Sequence, residues 1–186
     1  MPDAAFTRLE TDRLIVRRFR PDDLDSFVAY RADPDVARFQ SWENFTRAEG
    51  VQFIAEMARQ HPDTPGEWFQ FAVELKANSA MIGDCALHAF ADRRDEAEIG
   101  FTLAPAYRGR GYAREAVAGL LDYAFNALRK SRIEALTDVR NTKSIGVLER
   151  LGFVRDAAMR EPVEFKGEIC SEFLYLLFRE SWRTRS

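Results

Sequence analysis

The sequence predicts an α+β fold of short strands and about four helices, and three observations carry that expectation. Short runs rich in β-branched and aromatic residues recur along the chain. Four other segments repeat their apolar residues at i, i+3 and i+4. Two of the strand-like runs, Trp68 to Leu75 and Met81 to Phe90, are joined only by Lys76-Ala77-Asn78-Ser79, which reads as an antiparallel hairpin.

The elements follow in order. Arg13 to Phe19 is a strand by composition, and Pro21-Asp22 after it opens a helix. Leu24, Phe27 and Val28 place the apolar face of that helix from Asp23 to about Arg31, and Asp33-Pro34 punctuates its end. The stretch from Phe39 to Phe45 is irregular and aromatic. Thr46 and Glu49 have capping-box spacing, and Val51, Ile54, Ala55 and Ala58 stripe a second helix ending near Gln60. His61 to Gly66 has loop composition, and the hairpin follows it. In the strand Ala97 to Leu103, strict alternation sets Ala97, Ile99, Phe101 and Leu103 on one face and Glu98, Gly100 and Thr102 on the other. The strongest helical pattern runs from Ala113 to Leu128. Ile133 to Val139 is a further strand. Asn141 then stands where an N-cap belongs, before Ile145, Leu148 and Leu151, and Gly152 supplies the left-handed residue that ends this fourth helix. Phe153 to Arg155, Val163 to Phe165 and Phe173 to Phe178 close the chain as strands, with a turn at Lys166-Gly167. The last of these is apolar enough to serve as core or as an interface, so monomer and homodimer both stay open.

The length of 186 residues fits a single domain, 1–186, with no repeat or low-complexity boundary inside it. Hydrophobic residues at 46% against 31% charged ones supply enough apolar surface to fold alone. A net charge of -3 offers no global attraction to a nucleic acid or an anionic membrane. The start Met1-Pro2-Asp3-Ala4 lacks the basic and apolar regions of a signal peptide, and no apolar run reaches membrane-spanning length, which points to the cytoplasm. Cys85 and Cys170 sit in apolar contexts outside any CxxC pair, and His61 and His88 lack partners at ligand spacing. Buried reduced thiols and no metal site are therefore expected. Phe39, Trp42 and Trp68 read as core aromatics more readily than as the lining of a pocket.

The segment that points to chemistry is Arg108-Gly109-Arg110-Gly111-Tyr112-Ala113, set between a strand and the strongest helix. Glycines at alternate positions let the backbone turn sharply with several N–H groups aimed one way, and the helix adds its positive end. Such a site holds a diphosphate by main-chain donors, with Arg108 or Arg110 adding charge. No Gly-Lys-Ser/Thr follows, and the third glycine of a dinucleotide fingerprint is missing, so both of those nucleotide readings fail. A plain tight strand-to-helix connection would use the same two glycines.

The surrounding residues favour a ligand. The run Glu98-Ile99-Gly100-Phe101-Thr102-Leu103 through Arg108-Gly109-Arg110-Gly111-Tyr112-Ala113 resembles the cofactor motif of the GNAT superfamily of N-acetyltransferases, whose Arg/Gln-x-x-Gly-x-Gly/Ala pattern is matched by Arg108, Gly111 and Ala113. A later block, Asn141-Thr142-Lys143-Ser144 with Leu148-Glu149-Arg150-Leu151-Gly152-Phe153, is similar to that family's second cofactor-side motif. The opening Thr11 to Arg17 and the closing Arg179-Glu180-Ser181-Trp182 resemble its RimJ/RimL-like branch. The resemblance implies an α/β mixed sheet, splayed at the cofactor site, with acetyl-CoA as co-substrate and an amine acceptor, either a peptide N-terminus or a small molecule. It also implies that the irregular segment around Trp42 lies where this family often shapes acceptor specificity. Phe101, Thr102 and Leu103 would meet the pantetheine arm and supply oxyanion donors. Asn141 and Ser144 would complete the cofactor side.

In this family the amine attacks the thioester directly, so a base must first take its proton. An α-amine titrates near ~7.7–8.0 and a lysine near ~10.4, so a peptide N-terminus asks less of the base. Glu98 is the candidate base, acting through water, or else a cross-strand partner for an arginine. Ser144 is the candidate to support the leaving thiolate, or an ordinary first-turn serine. Asn141 contacts the pantetheine arm, caps its helix, or does both. Many members carry a tyrosine acid where Leu148 stands, which leaves Ser144 or solvent as proton donor. The same departure keeps a non-catalytic acetyl-CoA-binding sensor as the alternative.

Overall fold

The computed structural model describes residues 6–158 and 161–184, so the polar start Met1-Pro2-Asp3-Ala4 lies outside the described residues. The strands are β1 (Arg8–Glu10), β2 (Leu14–Arg17), β3 (Trp68–Leu75), β4 (Ala80–Ala89), β5 (Glu96–Leu103), β6 (Arg132–Asp138), β7 (Val154–Arg155), β8 (Val163–Phe165), β9 (Glu168–Cys170) and β10 (Glu172–Phe178). Eight of them form a mixed sheet in the order β1-β2-β3-β4-β5-β6-β10-β7, while β8 and β9 pair with each other as a separate hairpin. Every neighbouring pair is antiparallel except β5 and β6. The apolar run at the end of the chain is thus β10, paired on both sides, with Tyr175 and Leu177 buried.

The helices are α1 (Leu24–Arg31), α2 (Pro34–Ala37), α3 (Arg47–Arg59), α4 (Tyr112–Asp122), α5 (Thr142–Leu151) and α6 (Arg179–Arg183). Four of these match the predicted helices, and two short ones were not predicted. Asp33-Pro34 does more than end α1. Proline fits the first helical position, where no N–H is needed, and the Asp33 carboxylate accepts from the Asp35 N–H at 2.8 Å, so the pair starts α2. The pattern expected to continue to Leu128 widens into a π-helical turn over Tyr123–Ala127, where Leu128 N–H reaches the Tyr123 carbonyl at 3.1 Å. Tyr123, Ala124 and Phe125 are all buried there. The wider turn draws three successive side chains closer to one face.

Alternation along β3 shows how the sheet divides two cores. Phe69, Phe71 and Val73 join the larger cluster with Val117, Leu120 and Leu121 of α4, whereas Ala72 joins the second with Phe27, Tyr30, Ile54 and Met57 of α1 and α3. The sheet is therefore covered on both faces. Across the α1 face, Arg17 is buried between Asp23 at 2.8 Å and Glu74 at 2.6 Å.

One departure from regular pairing positions the site. β5 pairs with β4 from Ala97 to Leu103, but with β6 only where Glu96, Ala97 and Glu98 face Arg132, Ile133 and Glu134. β6 then follows β10 as far as Asp138. Beyond Glu98 and Glu134 the two central strands part.

Candidate active site

The loop that leads into α4 is built by its glycines. Gly109 has φ 77° and Gly111 φ 81°, both in the left-handed region that side chains disfavour. A Cβ on Gly109 would touch nothing within 4 Å, so the constraint there is backbone conformation, and the space beside it is open. The first helical bond of α4 runs from Glu115 N–H to the Gly111 carbonyl at 3.1 Å. The N–H groups of Tyr112, Ala113 and Arg114 thus point out of the helix end, with the positive end of its dipole behind them.

Side chains from the start of the chain brace this loop. Glu115 accepts from Thr11 Oγ1 at 2.6 Å, from the Arg13 N–H at 2.7 Å and from Arg13 Nε at 2.6 Å. Burial raises the Glu115 pKa, but the hydrogen bonds from Thr11 and Arg13 outweigh it and hold the carboxyl below its usual range. Arg13 also donates to the Arg110 carbonyl at 3.1 Å and lies over the Tyr112 ring at 4.5 Å. Arg108 turns back, its Nε donating to the Leu103 carbonyl at 3.1 Å, which ties the loop to the end of β5.

The phase of the β4–β5 ladder decides which backbone groups face the opening. Ala104 N–H donates to the Ile82 carbonyl at 2.9 Å, and Leu103 stands opposite Gly83. Gly100 and Thr102 therefore turn their N–H and C=O groups to β4, and Phe101 and Leu103 turn theirs toward the gap. Across it, Asn141 caps α5, its Oδ1 accepting from Ser144 N–H at 3.2 Å. Leu148 is 0% exposed, a core residue.

A cavity of about 1630 Å³ fills the gap and extends across the sheet. Glu98, Phe101, Thr102, Leu103, Arg108, Gly109, Gly111, Tyr112, Ala113, Asn141 and Ser144 all border it. Arg110 is exposed and takes part through its carbonyl alone among the described bonds. Phe39, Trp42 and Trp68, expected in the core, all line the cavity; Trp42 also packs against the second core, whereas Trp68 is 39% exposed and stacked on His88 at 5.0 Å. For Phe39 and Trp42 a segment without regular structure gave no periodicity from which to read their direction, and Trp68 stands at the very start of β3. Cys85 and Cys170 are buried and free as expected, although Cys170 Sγ lies 3.1 Å from Arg140 Nη2 and is not in a purely apolar setting. Among the described residues, no group of three or more His, Cys, Asp or Glu is placed to hold a metal ion.

The sequence reading also missed a buried polar cluster at the far end of the cavity. Asp84 on β4 accepts from the Tyr30 hydroxyl and lies 3.5 Å from Arg31 Nη2. Arg31 donates to Gln70 Oε1 at 2.7 Å and stacks on Trp42 at 3.8 Å. Burial raises the Asp84 pKa, with Arg31 and Tyr30 working against it. Its signal was a lone acid in an otherwise apolar strand.

A mixed sheet that parts at its centre, with the N-terminus of α4 at one mouth of the gap, defines an acyl-transfer class of site. Residues 13–154 match the Acetyltransferase (GNAT) domain model, and the chain belongs to that family of acetyltransferases. It is 29% identical over 174 residues to the uncharacterized N-acetyltransferase p20 of Bacillus licheniformis, covering 94% of this chain and 97% of the relative. A GNAT-family acetyltransferase structure from Bacillus anthracis superposes with TM-score 0.83 at 26% identity, over 94% of this chain and 99% of the other. Two further structures share the fold. Spermidine N-acetyltransferase from Vibrio cholerae, in complex with CoA and spermine, has TM-score 0.78 at 21% identity, over 93% and 99% of the chains. Ribosomal-protein-S5-alanine acetyltransferase from Vibrio fischeri has TM-score 0.79 at 23% identity, over 95% and 99%. No helix among the described residues is long and apolar enough to cross a membrane.

Proposed function

We propose that the chain, as one N-acetyltransferase domain in the cytoplasm, transfers the acetyl group of acetyl-CoA to a primary amine by direct attack in a ternary complex. The acceptor is a protein N-terminal α-amine or the amine of a small molecule. What supports this is the single opening that leads from the α4 N-terminus, past the backbone of Phe101 and Leu103, to the sheet face bearing Glu98.

Each step asks something specific of these residues. The diphosphate of the substrate takes main-chain donors from Gly109 to Ala113, and Arg108 adds charge when it swings from the Leu103 carbonyl. The arm that follows pairs with Phe101 and Leu103, and Asn141 and Ser144 border it from α5. Glu98 receives the ammonium proton through water, which frees the nitrogen lone pair to attack the thioester carbon. The oxyanion so formed takes hydrogen bonds from the gap-facing backbone N–H groups of Phe101 and Leu103. When the C–S bond breaks, the sulfur leaves with the electron pair, the Ser144 hydroxyl supports the thiolate, and the remaining extra proton on the attacking nitrogen passes to the thiolate or to solvent. With Leu148 sealed in the core, no tyrosine stands at that position to supply a proton.

The test is calorimetric titration with acetyl-CoA, CoA and ATP, on the wild type and on a Gly109→Pro/Gly111→Val variant checked for folding by circular dichroism. Proline is confined to negative φ, and valine is strained at the positive φ of Gly111. The wild type should bind both CoA species and not ATP, and the variant should lose that binding. A folded wild type that binds no CoA species overturns the proposal. Thiol release with short peptides, polyamines and aminoglycosides then separates the acceptor classes.

A further inference from the structure

The β8–β9 hairpin takes no part in the steps above, yet it forms a wall of the same cavity. Isolated two-stranded hairpins are marginal in water, and this one buries little of itself, with Ile169 73% and Val163 39% exposed. Phe165 and Cys170 nevertheless border the cavity. Two ties hold the hairpin in place. At its base, Arg140 reaches Glu168 and Cys170, each at 3.1 Å, from the position next to Asn141. At its tip, Lys166 and Gly167 have φ 53° and 76°, the two positive values of a type I′ turn. From that turn Lys166 Nζ donates to the carbonyls of Ala37 and Trp42, both at 2.7 Å. The Lys166 side chain is only 18% exposed, and its bond to the Ala37 carbonyl is partly buried.

Ala37 and Trp42 bracket the irregular segment whose Phe39, Gln40 and Ser41 line the opposite wall. One ammonium therefore joins two walls contributed by chain segments far apart in sequence. Trp42 in turn donates its indole N–H to the Arg31 carbonyl at 3.1 Å, and Arg31 leads to Asp84 on the sheet. The tie at Lys166 thus reaches the floor of the cavity through Trp42 and Arg31.

We propose that Lys166 is a positioning residue for the acceptor: it fixes the hairpin against the Ala37–Trp42 segment and so sets which amines fit the cavity. This rests on the acetyl-transfer reading above. The described hydrogen bonds and ion pair of Lys166 go to Ala37, Trp42 and Glu43 and none to α4 or to the Phe101–Leu103 backbone, so its loss should leave acetyl-CoA binding intact. In the Lys166→Met variant, the stem remains and the charged donors go.

The experiment compares wild type, Lys166→Met and Lys166→Arg in acceptor KM, acetyl-CoA affinity and hydrogen exchange over residues 163–170. Lys166→Met should raise acceptor KM about tenfold, the loss of one charge-assisted tie. It should also change the ratio of kcat/KM between two amines, leave acetyl-CoA affinity unchanged and speed exchange in the hairpin. Lys166→Arg, which keeps charged donors, should restore most of the wild-type behaviour. Unchanged acceptor KM, or wild-type exchange in Lys166→Met, overturns the proposal. If the wild type turns over no amine, the acetyl-transfer reading fails by itself, and hairpin exchange alone decides whether the tie exists.

Discussion

Two carboxylates share one face of the sheet and differ in what surrounds them. Asp84 is 3% exposed and engaged by Tyr30 and Arg31, so its protonation is bound up with the packing of α1 on the sheet. Glu98 stands opposite His88 and Glu134, is only half-buried and borders the cavity, which suits a group that must take a proton and return it to solvent. Glu98→Gln should lower kcat by about 100-fold or more with the acetyl-CoA dissociation constant unchanged; steady-state rates with calorimetry check it, and unaltered turnover removes Glu98 from the mechanism. The position of Glu98 beside the cavity was legible because it is an acid in an alternating strand with the family motif close behind it. Asp84 carried a similar local signal, but its meaning lay in Tyr30, 54 positions earlier, and no local pattern links the two. Lys166 was legible as a turn residue and illegible as a tie, since its acceptors are backbone carbonyls that any sequence supplies.

At the scale of elements, what was legible followed periodicity and caps. The four long helices, the β3–β4 hairpin and the faces of β5 all came from repeats of apolar residues, and Thr46, Asn141 and Gly152 mark helix ends in the structure as they do in the sequence. One-turn α2, the π-helical turn after α4 and the short strands β1 and β9 were missed, because pieces of this length carry too few residues for a period. Gly83 shows a contact between elements that no such reading reveals. A Cβ there would lie 2.2 Å from the Thr102 carbonyl, which is backbone and cannot swing aside. Gly83→Ala should therefore push β4 from β5 beside the cavity, costing about 3 kcal/mol by the measure of overpacked sites. Urea unfolding checks this; a midpoint equal to wild type would mean the two strands approach less closely than their register implies.

Across the whole molecule, the sheet consists of two panels, β1 to β5 and β6 with β10 and β7, joined by the short parallel pairing at Glu96–Glu98. A substrate arm lying between them meets amide groups of β5 that have no strand beside them. Exchange of the Phe101 and Leu103 amides should slow when CoA is added, and the Leu87 amide, inside the β3–β4–β5 ladders, should change little. Equal protection with and without CoA at Phe101 and Leu103 would count against the arm lying along β5. The parting of the strands then has a mechanical meaning. A sheet continuous across its middle would carry strain from edge to edge through its own hydrogen bonds. Here the load crosses a three-residue seam, so that an arm bound in the gap would splint the two panels and its departure would release them.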